Sequence, residues 1–530
     1  MVWRAEDPCG NESAKWMYDT VQYTRGRGLD LGCGPNKVWP HAIGVDSYKD
    51  TQLFGVQMRP DVACDCTKLD VFGSASMDYV YSSHLLEHIA DYKAALKEWW
   101  RVLKPGGYLL LYLPDEDEYP KVGEEGANPD HKWNVNTEKV LDAMKPVGGW
   151  DLVYCEKRNQ DREYSLAFVF KKRTDGKHLY SHKTPKPEKT AAICRYGAFG
   201  DAIQASSILP ALKAQGYHIT FYCTPRTQDV LKHDPHIDAW YVQDIDQVPN
   251  PVLGEFWANE RKKFDKFINL SESIEGTLLS LPGRPNHLWP MNLRRKVMDV
   301  NYFEFTHDLA DVPLPPKPKF YASEEEKAWA KKERAKFGGD MLIMYSLAGS
   351  SVHKVWPWQD QLFARILIKY PNARIVTVGD DLSQMLEIGW EKEPRVICKS
   401  GKYSIRESMS LLAECDMVIG PETGMLNAAG HMSMPKLVFL SHSSANNLTK
   451  YWVNTTSLEP SNTPCFPCHK MQYSFEHCNR DEGTGVALCA ANSGLEQAWE
   501  AFEAALETTQ LDRLIMKEPA LLEKIKRIAA

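Results

Sequence analysis

The chain reads as an α/β protein built from several parallel sheets, and three observations carry that prediction. Short apolar runs alternate with amphipathic stretches of helical period along almost the whole sequence, the pattern of buried strands joined by crossover helices. Its 530 residues exceed what one hydrophobic core organises. Two proline-bearing breaks, residues 171–189 and 311–320, divide the alternation into three stretches.

Bulk properties narrow the class. Apolar residues make up 43% and charged residues 25%, ordinary values for a soluble globular chain. The formal charge of −7 argues against a protein whose work is to grip phosphate backbones non-specifically. No run approaches the length of an apolar membrane helix, so no membrane insertion is expected. The opening MVWRAEDPCGNESAKW lacks the apolar core of an export signal and carries acids early. The 13 cysteines are odd in number and scattered through strand-like segments, as at Cys194 and Cys223. That usage fits a reducing compartment, and a cytoplasmic location is expected.

The first stretch opens with GLDLGCGPNK, residues 28–37, a strand running into a glycine turn. Gly32 and Gly34 remove side chains where a ligand must touch backbone, and the amides that follow can receive a carboxylate. In AIGVD, Asp46 closes the next strand, where an acid can hold ribose hydroxyls. CDCTKLD puts Asp65 at the end of a third short strand, and SMDYVYSSHLLEHI and RVLKPGGYLLLYLPD follow in order. His84-Leu-Leu-Glu87-His88 also fits the H-x-x-E-H zinc-peptidase pattern. Here it follows a strand of a different sheet plan, in an expected helix, and is read as a look-alike.

In their order these motifs resemble the class I S-adenosylmethionine-dependent methyltransferases, over about residues 20–172. The resemblance implies that Asp30 and the Gly32–Gly34 turn receive the methionine part of S-adenosylmethionine. It implies Asp46 on the ribose, Asp65 on the adenine amino group, and Ser82, Ser83 and His84 beside the reactive methyl. Pro35, Asn36 and Lys37 stand where a third glycine is common. Transfer to a hydroxyl needs a base for its proton, and His131, in NPDHKWN after the fifth strand, is the residue expected to serve.

The second stretch begins ICRYGAFGDAIQASSILPALKAQG, a strand, a glycine loop and Asp201 at a helix start. An acid there caps a helix, yet a strand's carboxyl end is also where open α/β sheets hold ligands. The third carries YSLAGSSVHKVW, with Gly349, Ser350 and Ser351 followed by Lys354. Free amides and one lysine suit a diphosphate that gains charge as it leaves. Glu422-Thr423-Gly424 then precede another helix start, with Asn427 beyond.

This set resembles the heptosyltransferase-like glycosyltransferases of family nine, over about residues 190–510. The resemblance implies the GT-B architecture of two Rossmann-like domains, hinged at 311–320, and inverting, metal-independent transfer from a nucleotide sugar. It implies Asp201 as base on the acceptor hydroxyl, and Lys354 with Gly349–Ser351 on the diphosphate. Glu422, Thr423, Gly424 and Asn427 would face the sugar and its phosphate. Glu422 and Asn427 replace the usual aspartate and histidine, which implies a sugar other than heptose.

The expected organisation is a methyltransferase over 1–172, a linker over 173–189, an acceptor domain over 190–312, and a donor domain with C-terminal helices over 313–530. The fold class is thus α/β, a class I methyltransferase Rossmann-like domain followed by the two Rossmann-like domains of a GT-B glycosyltransferase. Cys465, Cys468, Cys478 and Cys489 are candidate ligands of one structural zinc, with simple packing as the alternative. The function expected is bifunctional, methyl and glycosyl transfer to a glycan or other biopolymer. Two alternatives stand beside it: a nucleic-acid acceptor, disfavoured by the acidic charge, and a degenerate glycosyltransferase-like half that only binds.

Overall fold

A computed structural model describes residues 12–47, 52–53, 56–160, 162–174, 179–180 and 187–517. Most of the expected 173–189 linker, the first eleven residues and the expected helix break at Pro519 lie outside the described residues. The chain divides into two compact units, 1–188 with 241–264, and 189–240 with 265–530.

In the first unit, strand Gly28–Leu31 is buried throughout and pairs in parallel with Ile43–Asp46 on one side and Met77–Ser83 on the other. Beyond Ile43–Asp46 lies Val62–Ala63, and beyond Met77–Ser83 lies Leu103–Pro114, both also parallel. Strand Ser165–Lys172 runs antiparallel between Leu103–Pro114 and Trp150–Arg158. Helix Tyr92–Val102 starts at Asp91, whose side chain accepts from the Ala94 N–H at 3.0 Å. It buries Ala95, Leu96, Trp99 and Trp100, a stripe at helical spacing, against Leu29, Val80 and Leu111 of the sheet. The segment 241–264 belongs to this unit, where Lys263 pairs with Asp19 and Gln247 donates to the Val21 carbonyl.

In the second unit, strand Thr190–Cys194 lies between His218–Cys223 and Lys266–Asn269, parallel to both. A separate six-stranded sheet, parallel throughout, has Met341–Ser346 between Ala373–Val378 and Met417–Pro421. The C-terminal helix Leu495–Lys517 closes this sheet's core with Ala498 and Phe502 against Leu437 and Phe439.

Two local expectations are corrected. The run AIQASSILPALKAQ, whose period reads as one helix-like stretch, is two helices, Phe199–Ser206 and Leu209–Ala214. Pro210 has no N–H for an interior helix bond and sits in the first turn of the second helix. The H-x-x-E-H run is not part of a helix. His84 has φ of +47°, and only a 3-10 turn, Leu86–His88, forms before helix Tyr92–Val102. No helix among the described residues is long and apolar enough to cross a membrane.

Candidate active sites

Each of three sheets has one strand, parallel to both its neighbours, which follow it in opposite directions along the sheet. At such a point the connecting loops diverge and leave a crevice at the strands' carboxyl ends. These strands are Gly28–Leu31, Thr190–Cys194 and Met341–Ser346. The Gly32–Gly34 turn, the loop before Asp201 and the Gly349–Lys354 loop leave from those three ends.

In the first unit, Gly32 and Gly34 both adopt left-handed φ, +67° and +55°. The Gly32 N–H donates to the Val45 carbonyl at 2.8 Å, so the turn is sewn to the neighbouring strand. Asp46 closes that strand, nearly buried, and accepts from the Gly34 N–H at 3.1 Å. Asp30 turns its carboxylate to the Val38 N–H at 2.6 Å, bracing the loop from below. Burial pushes its pKa up to about 7, against the Val38 amide and Lys37. Asp65 lies two residues past strand Val62–Ala63, exposed, and binds the N–H and hydroxyl of Thr67, which hold it below the usual range.

Ser82 pairs in register with Leu31, so Ser82, Ser83 and His84 stand beside the glycine turn. The Ser82 hydroxyl is fully buried without a hydrogen-bond partner. The amides of Gly32, Cys33 and Gly34 are taken by Val45 and Asp46, so the expected carboxylate cradle of free amides is not found there. The left-handed turn, the acid at the next strand end and an orphaned buried hydroxyl are what fit S-adenosylmethionine. His84 Nε2 meets the Ser165 hydroxyl at 3.0 Å, and burial lowers its pKa to about 3. His131 is buried too, and it joins Glu87 and His88, which the sequence reading had set aside. Burial lowers the pKa of both His88 and His131 and pushes Glu87 up to about 8.

In the second unit, Asp201 sits in the first turn of helix Phe199–Ser206 and accepts from the Ala198 N–H at 2.8 Å. Arg195, buried at the end of the preceding strand, lies 3.3 Å from Asp201 and 2.7 Å from Glu275. Sequence reasoning missed this arginine, although a charge inside an apolar strand end was a usable signal. The Asp201 loop and the Glu422–Asn427 segment come together. A Cβ on Gly200 would stand 2.7 Å from Gly424 Cα and from Asn427 Nδ2.

Glu422 is buried and heavily bonded. It accepts from the Ser441 N–H, from the Ser441 hydroxyl at 3.1 Å, and from the His442 N–H at 3.0 Å, and it contacts His442 Nδ1. Burial alone would raise its pKa, but His442, Lys354 and the Ser441 amide hold it below the usual carboxylate range. His442, unflagged in the sequence, follows a strand end in LSHSS. Lys354 is buried, which lowers its pKa against the charges of Glu422 and Asp201. Thr423 shares a 2.9 Å hydrogen bond with Ser346. A Cβ on Gly349 would strike the Lys354 stem, so the loop folds closely over that lysine. Ser350 is exposed, whereas Ser351 turns inward to His353 at 2.5 Å and to the Gln472 carbonyl at 2.8 Å.

The four cysteines lie in one region. Burial pushes the Cys468 thiol up to about 12, and Cys465 and Cys478 add to the shift. Cys489 is raised by burial, then by the other three. Arg294 donates to the Cys468 carbonyl at 3.0 Å, and Arg295 donates to the carbonyls of Pro464, Phe466 and Pro467, pinning the C-x-x-C loop. No described cysteine lies in a disulfide.

Residues 29–111 match the family model described as a methyltransferase domain. Among curated relatives, the trans-aconitate 2-methyltransferase of Azoarcus sp. is 29% identical over 102 residues, 17% of this chain and 40% of that protein. The chain spans 37–50% of the length of the curated relatives it matches. Among solved structures, a family 9 glycosyl transferase from Veillonella parvula is similar over 61% of this chain and 99% of its own, with 17% identity and a TM-score of 0.44. The E. coli ADP-heptose lps heptosyltransferase II is similar over 61% and 99%, with 16% identity and a TM-score of 0.42.

Proposed function

We propose that the chain is a bifunctional transferase. The first unit transfers a methyl group from S-adenosylmethionine, and the second transfers a sugar from a nucleotide donor to a glycan or other biopolymer. The observation that carries this reading is the recurrence of one device. Three sheets each have a point, between parallel strands, where the strand order reverses, and each point is fitted with a loop suited to a charged ligand.

Bound S-adenosylmethionine supplies an electrophilic methyl on a sulfonium. The chain's part is to receive the methionine portion beside Asp30 and the Gly32–Gly34 turn, hold the ribose at Asp46 and the adenine at Asp65, and exclude water with Ser82, Ser83 and His84. Beside them, the Glu87, His88 and His131 cluster faces the question of the acceptor's proton, with His131 the base first expected.

For glycosyl transfer, Asp201 takes the proton of the acceptor hydroxyl. The freed oxygen attacks the anomeric carbon opposite the diphosphate and inverts it without a metal ion. Lys354 and the Gly349–Ser351 loop receive the departing diphosphate. Glu422, Thr423, Gly424 and Asn427 orient the sugar, and Glu422 and Asn427 favour one other than heptose. The expected structural zinc at Cys465, Cys468, Cys478 and Cys489 is not supported: among the described residues only Glu87, His88 and His131 bring three ligand atoms close enough for one ion, so the cysteines are read as local packing. Their free thiols fit a cytoplasmic protein.

The test is thermal stability and turnover with a panel of nucleotide sugars. Transfer from one donor, abolished in Asp201→Asn, is the expected outcome. One observation favours a second reading, a glycosyltransferase-like half that binds a glycan without transfer. Both of its acids are engaged within the protein, Asp201 by Ala198 and Arg195, and Glu422 by the 441–442 loop. Donor binding without turnover, unchanged in Asp201→Asn, would favour that reading.

A further inference from the structure

Three imidazoles surround one oxygen of Glu87. His84 Nδ1 lies 3.7 Å from Glu87 Oε1, and the Nε2 atoms of His88 and His131 each lie 3.8 Å from it. The ligand atoms of Glu87, His88 and His131 all fall within 4.8 Å of one another. Glu87 is wholly buried, and neither carboxyl oxygen has a hydrogen-bond donor.

A buried carboxylate without a donor is costly. The separations of 3.7–3.8 Å are too long for hydrogen bonds. They lie just outside the edge lengths of a coordination shell. Bonds of about 2.0–2.2 Å from a zinc-like ion to nitrogen and oxygen put neighbouring ligands roughly 3.0–3.5 Å apart. With the three ligand atoms within 4.8 Å of one another, side-chain shifts on the order of an ångström would complete such a shell.

The supports of a metal site are also present. Metal-bound imidazoles are steadied through their other nitrogen. The flanking His84 uses Nε2 on the Ser165 hydroxyl at 3.0 Å. The Lys132 N–H donates to the Glu87 carbonyl at 2.8 Å, which ties the His131 loop to the Glu87 turn. The peptidase arrangement is a different one, since it needs both histidines on one helix face. Here the second imidazole comes from a distant loop.

We propose that Glu87, His88 and His131 bind one divalent transition-metal ion, with His84 at its flank and at least one coordination position open. Imidazole mixed with carboxylate suits zinc, cobalt, manganese or iron(II) better than calcium or magnesium. The site adjoins the glycine turn, for a Cβ on Gly32 would meet Leu85 at 3.0 Å. Its role rests on reading the first unit as a methyltransferase. An acceptor hydroxyl at the open position loses its proton to water. Its oxygen lone pair then bonds the methyl carbon as the carbon–sulfur bond breaks and the pair stays on sulfur. His131 is then a ligand rather than the base.

The full chain, stripped with a chelator, is loaded with cobalt(II) and desalted. Bound cobalt and the visible spectrum are compared between wild type and Glu87→Gln, His88→Asn and His131→Asn. Wild type should hold about one equivalent more than each variant, with ligand-field bands in the difference spectrum and no thiolate charge-transfer band. That signature separates this ion from one held by the cysteines. Equal cobalt in wild type and in variants that keep their circular dichroism overturns the proposal. If the variants misfold, a wild-type spectrum without bands of nitrogen and oxygen ligation overturns it equally. Calorimetry with S-adenosylmethionine is run in parallel. No cofactor binding alongside cobalt uptake would sink the methyltransferase reading and leave the metal site standing.

Discussion

Glu87 and Glu422 are both glutamates buried next to a histidine, and they are opposites in chemistry. Glu422 receives two backbone amides and a hydroxyl, with His442 and Lys354 close by, and is held ionised. Glu87 receives none, and burial lifts its pKa to about 8. Burial sets the cost of a charge, and the partners decide whether the cost is met. Glu422 looks outfitted to hold a fixed negative charge in the protein alone. Glu87 looks outfitted for a positive partner that the chain itself does not provide.

The sharpest way to break this contrast is to remove each carboxylate. Glu422→Ala strands buried amides and Lys354 and should destabilise the second unit by about 3–5 kcal/mol, read from denaturant unfolding. Glu87→Gln in metal-free protein should change stability by less than about 1 kcal/mol in either direction. Equal losses at the two positions would end the comparison.

Next in size is Asp46→Ala, which removes the acid at the second strand end. S-adenosylmethionine affinity should fall about tenfold or more, roughly 1.4–3 kcal/mol, by calorimetry. Equal binding to both proteins would sink that assignment.

Acid titration sharpens the contrast further. The Glu422 pKa is depressed below its ordinary 4.5. Its stabilisation is therefore complete above that value and is lost as pH falls through the lower folded pKa. The acid limb of the melting profile should be flatter in Glu422→Ala than in wild type. The smallest effect concerns two neighbouring serines. Ser351→Ala should cost about 1 kcal/mol through its buried hydrogen bonds, and exposed Ser350→Ala nearly nothing.

The sheet strands were legible because buried parallel strands are apolar runs, as in MLIMYS and ARIVTV. The strand-end loops were legible for a related reason. Gly32, Gly34 and Asp46 carry a local grammar of turn and acid that one stretch of sequence contains. What escaped were pairings across distance. Arg195 with Glu275, Glu422 with His442, and Glu87 with His131 each join segments whose proximity only the fold creates. The helix expected at His84 failed because the motif was read by composition, while the backbone there takes a left-handed turn. Pro210 marked a helix boundary in plain view and was passed over.

Gly200 and Gly424 meet where the Asp201 loop and the Glu422–Asn427 segment of the second unit approach, with no room for a Cβ on either. The spacing of the two loops is therefore set by missing atoms. An alanine at either position would act as a shim, leaving every charged group intact while moving the two loops apart. A misplacement of about 1 Å can cost on the order of a hundredfold in rate. One added methyl there would thus tell the alignment of the two loops apart from their chemistry.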